Sequence, residues 1–161
     1  LLNPDAFPKQ DWLERLLAAT LVYPGCAGFG SRLLDAGDPV RLDGTGDVYH
    51  VSGLAWRRGH GQKMAAGAAV NEDIFAPCAA AALYRRSTFL EVGGFDRGYF
   101  CYFEDVDLGF RLRLLGHSCR YVPDAVVLHV GSAVTKRRSP FSLYHGHRNL
   151  VWTYCKNMPS L

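Results

Sequence analysis

Three carboxylates, Glu104, Asp105 and Asp107, fall within four positions of one another, and one imidazole, His129, closes the apolar run that follows at 125–130. Side chains of these types can take a proton from a hydroxyl or offer oxygen and nitrogen ligands to a cation. For either chemistry they must share a cleft, so the elements carrying them matter as much as their types. Leu108, Leu112 and Leu115 recur at the spacing of one helix face, with Phe110 and Leu114 adding a second i,i+4 pair. The spacing predicts a helix buried on more than one side, with Arg111 and Arg113 toward its end and Gly116 as its stop. Asp105 reads as its N-cap and Asp107 as a first-turn charge favoured by the helix dipole. On this helix alone, capping accounts for all three acids. After it, 119–122 and 125–130 read as short strands separated by a Pro123-Asp124 turn. An acidic helix start followed by a histidine at a strand end could build a compact acid or metal site.

The stretch 91–113, Glu-Val-Gly-Gly-Phe-Asp-Arg-Gly-Tyr-Phe-Cys-Tyr-Phe-Glu-Asp-Val-Asp-Leu-Gly-Phe-Arg-Leu-Arg, strongly resembles glycosyltransferase family 2. So does 121–129, Tyr-Val-Pro-Asp-Ala-Val-Val-Leu-His. The resemblance implies an α/β GT-A-like mixed sheet flanked by helices and a role in bacterial surface-polysaccharide synthesis. It also implies that Asp5, with Asn3 in the weaker first position of the family's acidic motif, binds a donor diphosphate through a divalent metal. Without that resemblance Asn3-Pro4-Asp5 is an ordinary turn. In the implied site Asp5 and His129 hold the metal, and their oxygen and imidazole ligands suit Mn²⁺, with Mg²⁺ second. Asp105 is the base that deprotonates an attacking acceptor hydroxyl, and Glu104 orients the acceptor or holds Asp105. Such a transferase inverts the anomeric configuration. Its partners are a nucleotide-sugar donor and a glycan or polyprenyl-linked acceptor, with rhamnose a reasonable sugar.

Composition narrows the field. The 161 residues are 48% hydrophobic, enough for one well-cored domain, and the net charge of +3 makes no case for nucleic acid. Five cysteines at 26, 78, 101, 119 and 155 include no Cys-x-x-Cys pair, a pattern that suits reduced thiols in the cytoplasm. No apolar run reaches the 18 or more residues that would suggest a membrane span. The chain opens on Leu1-Leu2 with no initiator Met, and we expect a fragment lacking the N-terminal nucleotide-binding half.

Along the chain, 11–20 predicts a helix with Leu13, Leu16, Leu17 and Thr20 on one face, ended by Pro24-Gly25. A strand over 26–34 follows, then a Gly-rich stretch over 35–71 that reads as a solvated loop, where family members carry a mobile loop. The segment 78–84 reads as a small-residue strand, Arg85-Arg86 as a surface pair, and Thr88 with Glu91 as a capping box before Gly93-Gly94. From 125 onward there is no acid, while Lys136, Arg137, Arg138, Arg148 and Lys156 are basic. Ser139-Pro140 predicts the start of an aromatic helix over 141–157.

The division expected is a catalytic part over 1–135 and a basic aromatic helix over 136–161. That helix either docks on its own domain or lies on an anionic membrane, at the inner face of the plasma membrane. His145-x-His147 lacks neighbouring ligands for zinc. Two rivals stand beside the transferase: a non-catalytic glycan-binding or scaffold fragment, and a metal-dependent hydrolase, for which further acidic ligands are missing.

Overall fold

The computed structural model describes residues 1–64, 70–131 and 139–159. Lys136, Arg137 and Arg138 therefore lie outside the described residues, as does part of the 35–71 stretch. The fold is a mixed α/β arrangement built on two long parallel strands, β2 (Cys26–Asp35) and β8 (Ser118–His129). Both are almost wholly buried, as expected of parallel strands covered on both faces. Short antiparallel strands complete the sheet. On the β8 side, β1 (Ala6–Pro8) pairs with the end of β8 and β6 (Glu72–Ile74) with its beginning. On the β2 side, β7 (Ala82–Tyr84) pairs with the first half and β3 (Leu42–Gly44) with the last. A separate hairpin joins β4 (Asp47–Tyr49) to β5 (Ala55–Arg57).

Helix α1 (Trp12–Val22) covers one face, packing Leu16 and Ala19 against Phe29, Val122 and Ala125. Helix α3 (Glu104–Leu114) covers the other, packing Leu108 and Leu112 against Ala27, Ile74, Cys119 and Tyr121. Gly109 lets α3 approach closely, because a Cβ there would run into Ala76. Glycine inside a helix costs roughly 1 kcal/mol relative to alanine, and here close packing offsets it. The short α2 (Arg86–Glu91) and a 3-10 turn (Arg97–Tyr99) lead into α3, and α4 (Pro140–Asn157) packs against α3.

Several local expectations need correction. Segments 119–122 and 125–130 are one strand, and Pro123-Asp124 is a bulge where Ser31 pairs Val122 but Arg32 pairs Val126. Proline lacks the amide hydrogen a regular ladder needs, so the chain slips past it without turning back. Leu13 and Leu17 are each half exposed, as are Leu114 and Leu115, because only one narrow stripe of each helix meets the sheet. Only Ala82–Tyr84 of 78–84 is strand. The Thr88/Glu91 box does not form. Arg85 occupies the cap position of α2, and Thr88 Oγ1 donates to the Arg85 carbonyl. Arg85 itself is no surface ornament, since its guanidinium donates to the carbonyls of Thr20 and Cys26 and ties α1 to β2. Gly116, at φ 83°, ends α3 as expected. Ser139 caps α4, its Oγ accepting from Ser142 N at 3.1 Å.

Candidate active site

The residues singled out above come from three separated stretches, and the fold brings them to one cavity of about 810 Å³. Asn3, Asp5, Glu104, Asp105 and His129 all line it. Strand pairing explains how the first part arises. Ala6 pairs with His129, and Val130 N donates to the Asp5 carbonyl at 3.0 Å, so Asp5 is held beside the end of β8. The Asp5 Oδ1 to His129 Nε2 distance is 3.5 Å. Asn3 is fixed by its backbone N–H, which donates to the Ala80 carbonyl at 2.8 Å.

Behind His129 stands Asp43, which falls in the stretch expected to be a solvated loop but is buried on β3. Its Oδ2 accepts from His129 Nδ1 at 2.7 Å and from Arg57 Nη1 at 2.7 Å. His60 Nδ1 lies 2.8 Å from the Asp43 carbonyl oxygen. Burial by itself would push the Asp43 carboxyl up. The hydrogen bond from His129 and the charges of Arg57, His129 and His60 outweigh it and hold the group below the usual carboxylate range. A carboxylate on Nδ1 leaves Nε2 as the nitrogen facing Asp5, the arrangement by which outer carboxylates orient metal-binding histidines. Asp43, Arg57 and His60 sit on or beside β3 and β5. Strands of three residues have no periodicity to detect, so the sole sequence signal was two acids in Asp-Gly-Thr-Gly-Asp at 43–47.

At its α3 end the same cavity carries Glu104 and Asp105, with a third acid, Asp47, close enough to feel their charge. Phe103, not Asp105, occupies the cap position of α3, which begins two residues earlier than expected. The Asp105 oxygens instead accept from Ala79 N at 3.1 Å and Val106 N at 2.9 Å. Glu104 Oε2 is buried with no hydrogen-bond partner among the described residues. Burial first, and the Asp105 charge second, raise the Glu104 carboxyl to about 7. The same two causes raise Asp47 well above its ordinary value. This end holds more carboxylate than its surroundings neutralise, the condition in which a carboxyl can carry a proton near neutral pH.

Asp107 lies in the first turn of α3 as expected, but it does more than complement the helix dipole. It is completely buried and accepts from Tyr99 Oη, Arg111, Lys156 and Asn157, binding α3 to α4. The loop before α3 is strained: Phe100, Tyr102 and Phe103 have φ of 64°, 65° and 67°. Left-handed backbone costs bulky residues on the order of 1–2 kcal/mol each and clusters at functional sites. A second cavity of about 490 Å³ adjoins the first, shares Asn3, Ala79 and Glu104 with it, and is faced by Phe95, Arg97 and Phe100.

Among the described residues, no group of three or more His, Cys, Asp or Glu side chains is arranged to hold a metal ion. Asp5 and His129 nevertheless fit a two-ligand site: one oxygen and one oriented imidazole nitrogen face each other from the cavity wall. Ions such as Mg²⁺ are commonly held by one or two side chains together with substrate phosphates and water. His145, by contrast, packs among the rings of Phe100, Phe141 and Tyr144.

Comparison with known proteins identifies relatives of the chain. A profile described as "Glycosyltransferase like family 2" matches residues 13–152. The N-acetylglucosaminyl-diphospho-decaprenol L-rhamnosyltransferase of Mycobacterium tuberculosis is 47% identical over 72 residues, which are 45% of this chain and 23% of that protein. Rhamnosyltransferase WbbL of Escherichia coli is 51% identical over 47 residues, 29% of this chain and 18% of that protein. The matched stretches thus span less than a quarter of these relatives' length.

Proposed function

The chain belongs to the glycosyltransferase-like family 2, and on that premise we propose that it carries the metal and acceptor side of an inverting transferase in cell-surface polysaccharide synthesis. The observation behind this reading is the convergence of Asn3, Asp5, Glu104, Asp105 and His129 on one cavity. Both relatives named above are rhamnosyltransferases, and the mycobacterial one names a diphospho-decaprenol acceptor. By that likeness the donor is a nucleoside-diphosphate rhamnose and the acceptor a polyprenyl-diphosphate glycan.

The steps assigned to this chain's side chains are few. Asp105, fixed by Ala79 N and Val106 N, takes the proton of the acceptor hydroxyl as that oxygen bonds to the anomeric carbon. The bond from that carbon to the diphosphate oxygen breaks on the opposite face, so configuration inverts. Positioned proton transfer of this kind contributes roughly 10²–10⁴-fold. Glu104, at the junction of the two cavities, orients the acceptor entering from the smaller one. Asp5 and His129 would hold Mn²⁺ or Mg²⁺, which supplies Lewis acidity for the leaving diphosphate when bound.

No helix among the described residues is long and apolar enough to cross a membrane. Helix α4 does expose Leu143, Tyr144, Val151 and Tyr154 without an acidic residue, which supports a peripheral contact with an anionic membrane surface. Binding to phosphatidylglycerol vesicles, lost on Tyr144→Ser with Val151→Ser, tests that contact.

Release of nucleoside diphosphate by the whole protein, with and without a polyprenyl-diphosphate glycan, tests the function. Release that requires the acceptor is expected. Release without it indicates a hydrolase, and none at all a glycan-binding module.

A further inference from the structure

The strained segment 99–103 is held by one side chain from 46 or more positions downstream in sequence. Asn149 lies on the buried stripe of α4 with Thr153 and Asn157, and it is fully enclosed. Its Nδ2 donates to the carbonyls of Tyr99 at 3.0 Å, Cys101 at 2.8 Å and Tyr102 at 2.7 Å. Two amide hydrogens serve three carbonyls, so one is shared. Its Oδ1 accepts from Arg148 Nε at 2.9 Å, and Arg148 Nη2 reaches the Gly98 and Tyr99 carbonyls.

The local geometry shows why an outside donor is needed. Phe100, at φ 64° and ψ −60°, centres a tight turn in which Cys101 N donates to the Tyr99 carbonyl at 2.8 Å. This is the rarer, strained form of the three-residue turn. Phe103 then enters α3 in left-handed conformation at φ 67°. Left alone, such residues relax toward negative φ, and that would rotate the first turn of α3, where Glu104 and Asp105 sit.

We propose that Asn149 is a positioning residue: by gathering the carbonyls of Tyr99, Cys101 and Tyr102, it holds the strained loop in the shape that aims Glu104 and Asp105 into the cavity. Its effect on turnover rests on the transferase reading above; its effect on the loop does not. A small misplacement of reacting groups costs about 100-fold in rate, so Asn149→Ala should lower kcat by about that factor with KM for the nucleotide donor nearly unchanged.

Two further variants separate positioning from folding. Thr153→Val removes a neighbouring bond to Tyr99 Oη on the same stripe and touches no loop carbonyl. It should lower the melting temperature while leaving kcat in place. Phe103→Gly makes the left-handed cap intrinsically comfortable, so Asn149→Ala should cost roughly tenfold less in that background. Equal cost in both backgrounds, or a kcat loss in Thr153→Val matching that in Asn149→Ala, overturns the proposal. Amide exchange over 99–105 reads the loop without substrate. It should rise at least tenfold in Asn149→Ala and stay level in Thr153→Val; unchanged exchange in Asn149→Ala sinks the clamp even where no transfer is detectable. A wild-type protein without transfer but with the expected exchange pattern would refute the proposed function and leave the clamp standing.

Discussion

The two ends of the larger cavity use the same side chains under opposite electrostatics. At the Asp5–His129 end, Asp43 is nearly as buried as any acid in the chain, yet Arg57, His60 and His129 surround it and keep it ionised. At the Glu104–Asp105 end, burial and mutual repulsion push Glu104 to about 7 and Asp47 well above its usual value. Burial raises all three carboxyls; at Asp43 the His129 hydrogen bond and nearby positive charges outweigh it, whereas at Glu104 and Asp47 the Asp105 charge adds to it. One end is prepared to keep a fixed negative charge behind a ligand, and the other to exchange protons.

The most damaging way to probe the contrast is at the proton-exchanging end. Asp105→Asn should lower transfer by about 10²–10⁴-fold while the thermal midpoint stays put, read by steady-state turnover and a melting curve. If most turnover survives, the base lies elsewhere and the two ends do not divide the labour as described. At the other end, Asp43→Asn should raise the Mn²⁺ concentration for half-maximal binding on the order of 10–100-fold, followed by isothermal titration without substrate. His129→Ala should weaken that binding at least as much, and a titration indifferent to both would remove the metal from this end.

A subtler effect is expected in the pH dependence of stability. Because the folded-state value of Glu104 is raised from 4.5 to about 7, the folded protein binds more protons than the unfolded chain across that window. Stability contributed by the protonated group is therefore present at pH 4 and lost as pH rises through about 7. Glu104→Gln should leave stability at pH 4 unchanged and increase it at pH 9 by on the order of 2 kcal/mol, measured by urea unfolding with chelator present. A parallel pH curve for the variant would mean that this end is no more repulsive than the first. The mildest change serves as a control on both ends: Ser139→Ala removes the α4 cap and should cost about 1 kcal/mol with metal affinity and the Glu104 pH effect untouched.

Much of the frame could be read in advance. The apolar spacing of α3, its glycine stop, the Ser139-Pro140 start of α4 and the long β-prone runs are local signals, carried by neighbours in sequence. Asp5, Asp105 and His129 stand out by residue type and family likeness alone. What escaped was whatever depends on distant partners. Asp43, Asp47 and Arg57 sit on strands of three residues, too short for any period to show. Asp107 resembled a dipole-favoured first-turn acid and proved to be a fully buried anchor for α4, because Arg111, Lys156 and Asn157 converge on it.

By itself, the sequence determined which segments become helices and long strands, since those choices rest on backbone propensity and on apolar residues recurring at a fixed interval. Only the tertiary structure decided which acids are neutralised and which are left in repulsion. A carboxyl's charge state is set by burial and by charges a few ångströms away, and here those charges arrive from β5, β8 and α3, which are far apart along the chain.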